Sequence, residues 1–189
     1  MKSHETPAHH SQNRNVSKRK GPFVSLNVAL ITLSERRTRA DDTSGDLLQE
    51  RLETAGHRVV QRQIVLEDLL ALRAQLHAYV DDADVQAIIV NGGTGITQHD
   101  IAPQALQPLI TRPIPGFGEL FRMLSYAEIG ASTIQSRAEA AMAGDTVIFL
   151  LPGSTNACRL AMDKIILPQL DATTGPCNLV GLLARASEE

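Results

Sequence analysis

Three largely apolar segments constrain the architecture of this chain more than any other feature. Residues 26–33 (LNVALITL), 85–90 (VQAIIV) and 145–153 (DTVIFLLPG) have strand length and are rich in branched side chains. A strand wetted on one face alternates polar and apolar residues. A continuous run is the mark of a strand covered on both faces, as in a parallel sheet. A fourth, more polar strand is predicted over 57–66 (HRVVQRQIVL).

Between the strands lie segments of helical period. After the polar loop SERRTRADDTSG, Leu48, Leu52 and Ala55 share one helix face, with Thr43 or Ser44 as the N-cap and Gly56 as the stop. Leu69, Leu72, Leu76 and Tyr79 form one stripe, with Glu67 and Asp68 at the positive end of that helix. Residues 101–110 read as a short helix with Pro103 in its first turn. Residues 116–130 form another, with Leu120, Leu124 and Ala127 aligned, and 154–170 form a long last helix capped by Ser154 or Thr155. Strand and helix in alternation, joined by right-handed crossovers, predict an α/β fold with a doubly wound, mostly parallel sheet. Ligands of such sheets bind beyond the carboxyl ends of the strands. Three polar segments fall there and are expected to converge: SERRTRADDTSG, NGGTGITQHD and LPGSTN.

At 189 residues with 43% apolar side chains, the chain suits one domain. Residues 23–185 are assigned to it. Residues 1–22 are expected to be a disordered polar tail, basic in balance and too poor in apolar groups to offset ordering entropy. A net charge of −3, 3% aromatics and no Trp argue against a nucleic-acid partner. No apolar run approaches membrane-spanning length, so no membrane partner is expected. The amino terminus lacks the apolar core of a secretory signal. The two cysteines, Cys158 and Cys177, have no disulfide-framework or zinc spacing, and reduced thiols in a cytoplasmic protein are expected.

The loop NGGTGITQHD (91–100) follows the third strand with glycines at 92, 93 and 95 and an aspartate at 100. It is not a P-loop, because no Gly-Lys pair follows. Nor does it match the dinucleotide fingerprint: Gln98 stands where the third glycine belongs, and the turn follows the third strand rather than the first. This disfavours a nicotinamide oxidoreductase. A glycine turn of this kind serves either positive φ alone or the close approach of a phosphate. Asp100 suits two roles, the N-cap of the next helix or a ligand of Mg²⁺ on phosphate oxygens, and spacing does not choose between them.

The ordered set GGTGITQHDIAPQA, PGFGELFRMLSYAEIG, QSRA, LPGSTNACRLA and PQLDATTGPCN, together with the upstream TLSERRTRADDTSG, resembles the MoaB/MogA family of molybdenum-cofactor biosynthesis proteins. The resemblance runs from residue 26 to 178, and FRMLS, IGAST and PCN are most similar to its bacterial MoaB branch. It implies a three-layer α/β/α domain of the molybdopterin-binding type, agreeing with the pattern above. It implies molybdopterin as ligand, Mg²⁺ and ATP, and a homotrimer or homohexamer. In active members it implies adenylyl transfer from Mg-ATP to the molybdopterin phosphate.

Carried onto this chain, the resemblance implies phosphate contacts from the backbone of Gly92, Gly93 and Gly95 and from Thr94. Asp100 is implied as the second acidic position, catalytic and Mg²⁺-binding. Ser136 and Arg137 match the family's Ser-Arg pair, in which the planar guanidinium suits a phosphate. Pro152, Gly153 and Ser154 match its Pro-Gly loop at a helix start, and Ser34 is a candidate on the pterin side. The adenylylating branch carries Pro-Asp at the start of the second helix. Here VLEDLL places Glu67 at that first acidic, metal-binding position. One added methylene matters to an ion with strict octahedral demands. Two expectations follow, an adenylyltransferase or a molybdopterin-binding carrier that transfers nothing.

Other features have plainer readings. Phe117, Leu120, Phe121 and Leu124 read as a buried helix face, and Glu119 with Arg122 as a surface pair. His99 reads as solvated. Arg36, Arg37 and Arg39 either attract an anion or balance Asp41 and Asp42, and Cys177 is expected to be packed.

Overall fold

The computed structural model describes residues 22–183. The predicted tail lies outside these residues except for Pro22, as do residues 184 and 185 of the predicted domain. Six strands form one sheet: β1 (Asn27–Leu33), β2 (Arg58–Val65), β3 (Ala87–Asn91), β4 (Arg112–Pro113), β5 (Glu139–Ala143) and β6 (Thr146–Leu151). Their order is β2-β1-β3-β6-β5-β4. β2, β1, β3 and β6 are mutually parallel, while β5 runs antiparallel to both β6 and β4. After β2 the chain crosses to the other side of β1, so the winding reverses between β1 and β3, where an open α/β sheet leaves a crevice.

Helices cover both faces: α1 (Thr43–Thr54), α2 (Leu69–Val80), α3 (Ala102–Leu106), α4 (Pro115–Ile129), α5 (Thr155–Ala161), α6 (Leu167–Leu170) and α7 (Val180–Leu183). Strand alternation sorts β1 between two cores. Val28 and Leu30 pack with Leu48, Leu52, Phe117, Phe121 and Met162 from α1, α4 and the last helix. Ala29, Ile31 and Leu33 pack with Leu72, Leu76, Tyr79 and Leu106 from α2 and α3. The result is the predicted three-layer α/β/α sandwich.

Several local expectations are corrected. β4 and β5 were not anticipated, because β5 is EAAMA, an alanine-rich stretch of weak strand propensity, and β4 has two residues, one of them Pro113 at the sheet edge where its missing N–H costs nothing. The N-cap of α1 is Asp42, whose carboxylate accepts from the Gly45 N–H, rather than Thr43 or Ser44. On α4 the inward face is Phe117, Gly118, Phe121 and Ser125, while Leu120 is 38% exposed and Ala127 is also exposed. Gly118 decides this rotation: a Cβ there would lie 2.5 Å from the Ala138 carbonyl oxygen. Side chains two residues on, Leu120 among them, are turned about 200° away. The last helix is α5 and α6 joined by a π-helical turn, Met162–Ile166, just ahead of Pro168, which has no N–H for a regular ladder. Cys177 is exposed and Cys158 buried, both as free thiols.

Candidate functional site

The carboxyl ends of β1, β3 and β6 meet at the glycine loop. Gly92 (φ 106°) and Gly93 (φ 66°) take left-handed backbone closed to most side chains. A Cβ on Gly92 would stand 2.5 Å from the Leu33 carbonyl oxygen, and one on Gly153 would stand 3.4 Å from the Gly92 Cα. The Gly92 N–H donates to the Leu151 carbonyl at 2.9 Å, so this predicted phosphate donor is spent on the sheet. The N–H groups of Gly93 and Thr94 have no partner among the described residues. Thr94 itself is buried.

Asp100 closes the loop on itself. Its Oδ2 accepts from the Thr97 N–H at 2.9 Å and the Thr97 hydroxyl at 2.6 Å. A Cβ on Gly95 would lie 2.6 Å from that oxygen, which gives the third glycine a steric reason. The N-cap position of α3 is Ile101, without a side-chain cap, so the capping role considered for Asp100 is not the one adopted. Burial works against its charge, but the Thr97 hydroxyl, the Thr97 and Gly95 N–H groups and the Arg137 charge outweigh it and hold the carboxyl below its ordinary value. Arg137 braces the same loop. Its N–H donates to the Thr94 carbonyl at 2.7 Å, its Nε to the Gly95 carbonyl at 2.6 Å, and its Nη2 to the Asp100 carbonyl. Nη1 makes no protein hydrogen bond among the described residues and remains the part of the fork able to meet a ligand. Ser136 beside it accepts from the Ala138 N–H at 3.3 Å.

The first loop is held from below by a network that sequence reading missed. Asp42 is fully buried and pairs with Arg62 of β2 at 2.7 Å, whose side chain is 7% exposed. The Thr32 hydroxyl lies 2.9 Å from Asp42 Oδ2 and 3.0 Å from Asn91 Oδ1, its single hydrogen serving one at a time. Arg62, Asp42, Thr32 and Asn91 thus link the first loop to the residue preceding Gly92. The available signal was Arg62 in the middle of the HRVVQRQIVL strand. The loop arginines do not balance Asp42: Arg39 pairs with Asp46 at 2.7 Å, and Arg37 donates to the Asp41 carbonyl at 3.2 Å. The Ser34 hydroxyl accepts from the N–H groups of Arg36 and Arg37.

The third loop joins the same rim. The Ser44 hydroxyl donates to the Gly153 carbonyl at 2.9 Å, and Ser154 caps α5 by accepting from Ala157. Pro152 and Gly153 are half-buried between them. Glu67 stands apart. It follows β2, its N–H donates to Glu35 Oε1 at 2.9 Å, and its neighbour Asp68 caps α2. With β1 between β2 and β3, the strand ends leading to Glu67 and Asp100 are about 10 Å apart. Among the described residues no three His, Cys, Asp or Glu side chains gather as a metal cage, and His99 is exposed.

Beside Arg137 open two clefts of about 540 and 580 Å³, which share Pro103, Arg137 and Glu139 in their walls. Glu119 and Arg122 line the larger one but form no ion pair. Arg122 instead donates to the Ala138 carbonyl at 3.2 Å. Burial, partly opposed by Arg137 and Arg122, pushes the Glu139 carboxyl above its ordinary value.

Residues 29–172 match a family model described as a probable molybdopterin binding domain. The chain belongs to the MoaB/MogA family of molybdenum-cofactor biosynthesis proteins. It is 53% identical to molybdenum cofactor biosynthesis protein B of Escherichia coli K12 over 156 residues, covering 82% of this chain and 92% of that one. The crystal structure of a molybdenum cofactor biosynthesis protein B superposes with a TM-score of 0.78 at 39% identity, covering 88% of this chain and 98% of the other. The tungsten cofactor synthesizing protein MoaB of Pyrococcus furiosus superposes at 0.67 with 33% identity, covering 75% and 90%. No helix among the described residues is long and apolar enough to cross a membrane.

Proposed function

We propose that this protein binds molybdopterin and Mg-ATP at the rim where the three loops meet, and that it transfers the adenylyl group of ATP to the molybdopterin phosphate. A molybdopterin phosphate oxygen attacks the α-phosphorus of ATP. The bond from that phosphorus to the oxygen bridging the β-phosphorus breaks, and pyrophosphate leaves. Such a transfer asks the protein chiefly for position and charge neutralisation. The observation that carries the proposal is the loop from Gly92 to Asp100. It presents the free N–H groups of Gly93 and Thr94, is cradled by glycine where a Cβ would intrude, and is braced by Arg137. Asp100 fits a hard cation, since its carboxyl is held below its ordinary value, and Mg²⁺ commonly takes one or two carboxylates plus substrate phosphates. Asp100 would hold it, with Glu67 as the second carboxylate. When bound, the ion neutralises phosphate charge. Thr94, Ser136 and Arg137 Nη1 orient phosphate oxygens, and Pro152 to Ser154 border the nucleotide.

Glu67 favours a second reading, in which the protein carries molybdopterin without adenylylating it. Its side chain is longer than aspartate, and Asp68 is committed to capping α2 and does not substitute for it. Both readings place the protein in the cytoplasm as a homotrimer or homohexamer. The deciding experiment incubates purified protein with molybdopterin and Mg-ATP and follows adenylylated pterin and pyrophosphate. Product that disappears in Asp100→Asn is the expected result. Bound molybdopterin without product, restored by Glu67→Asp, selects the carrier. Binding of neither ligand rejects both.

A further inference from the structure

Glu139 carries a half-buried carboxylate that makes no ion pair among the described residues. β5 runs antiparallel to β6, with Glu139 opposite Leu150, so the first residue of β5 reaches the rim where β1, β3 and β6 end. There it lines both clefts. Two guanidinium groups flank it, yet neither pairs with it: Arg122 turns to the Ala138 carbonyl and Arg137 to the Gly95 and Asp100 carbonyls. Its own carboxylate accepts no hydrogen bond among the described residues. A carboxylate withdrawn from water without a partner is costly unless donors arrive from elsewhere.

We propose that Glu139 recognises the aminopyrimidinone edge of the pterin, accepting the ring N3–H and the exocyclic 2-amino N–H on its two oxygens. That edge presents two parallel donors on a flat frame, as a guanidinium does, and an ionised carboxylate is the side chain that accepts both. Arg137, two residues and at most about 7 Å of chain away, braces the phosphate-binding loop. One ligand can therefore set its pterin in the cleft and its phosphate at Gly93 and Thr94. Burial that raises the Glu139 carboxyl is relieved when those donors pair with it. Glu119, the other carboxylate of the larger cleft, is exposed on α4 and gives up less by remaining in water. Arg73, across the smaller cleft, is turned to the Gln104 carbonyl at 3.1 Å.

The inference rests on the molybdopterin reading, and its test separates the two. The full chain is titrated with molybdopterin, with 6-hydroxymethylpterin and with the matching lumazine, in which an oxo group replaces the 2-amino group, using quenching of ring fluorescence. The parent protein is expected to prefer the pterin over the lumazine about tenfold, as loss of a charge-assisted hydrogen bond predicts. Glu139→Gln and Glu139→Ala are expected to erase that preference and weaken molybdopterin binding by a similar factor, with a thermal midpoint no lower than the parent's. Molybdopterin binding left unchanged in both variants, or a parent that does not distinguish pterin from lumazine, overturns the role of Glu139 alone. A parent that binds neither molybdopterin nor pterin overturns the molybdopterin reading, and this inference with it.

Discussion

Single residues carry two sharp consequences. Asp42 is fully buried, and Arg62 is its charge partner. Arg62→Met leaves that carboxylate uncompensated and should cost about 3–5 kcal/mol of stability. Adding Asp42→Asn should recover part of the loss, and urea unfolding of the two variants checks both statements. His57 is buried beneath Phe23, and its Nδ1 accepts the Leu26 N–H at 3.2 Å. Burial lowers its pKa, and the Asp171 charge only partly opposes this. The folded imidazole is thus the weaker base, and the unfolded chain binds the extra proton. The resulting stability is fully present above the ordinary histidine pKa of ~6.5 and is lost as pH falls toward the folded value. The urea midpoint of the parent should drop more steeply from pH 7 to pH 5 than that of His57→Gln.

At the scale of elements, the loop after β3 separates two uses of glycine. Gly92 has a left-handed backbone and lies against the Leu33 carbonyl. Gly92→Ala should cost about 1–2 kcal/mol for backbone alone, with the steric conflict in addition. Gly95 has ordinary φ and yields its Cβ space to the Asp100 carboxylate. Gly95→Ala should therefore keep a near-parental thermal midpoint while weakening Mg-ATP binding by displacing Asp100. Calorimetric melting beside ATP titration distinguishes the pair. If Gly95→Ala unfolds the protein as readily as Gly92→Ala, the carboxylate cradle is not what that glycine provides. β5 shows the other side of element-scale reasoning. Its alanines carry little strand propensity, and only pairing with β6 makes the segment a strand.

For the whole molecule, the outward face of α4 is the feature that a single chain leaves unexplained. Leu120, Met123, Tyr126 and Ile129 recur every three residues and are 38, 64, 63 and 54% exposed, with Ile134 nearby at 81%. An apolar stripe of this kind marks an association surface. In the proposed homotrimer or homohexamer it is expected to lie between copies. Light scattering should report an oligomer for the parent and a monomer for Met123→Glu combined with Ile129→Glu. A parent that is monomeric at micromolar concentration removes α4 as an assembly surface.

By itself the sequence determined the layer architecture, because strands buried on both faces and helices with one apolar stripe are written in local periodicity. It determined the three rim loops as well, since glycine, proline and capping residues act within a few positions of themselves. It also carried the family resemblance that the relatives bear out. Tertiary structure decided everything that depends on a distant partner. Arg62 finds Asp42 only across the sheet edge, and Gly118 turns α4 by meeting a carbonyl 20 residues on. Arg137 braces the glycine loop, a contact that the family resemblance, which implied only a phosphate role, did not reveal. Glu139 reached the rim because an unanticipated antiparallel strand reversed the chain. Local signals arise from interactions between near neighbours, whereas these four placements arise from contacts that no period or motif encodes.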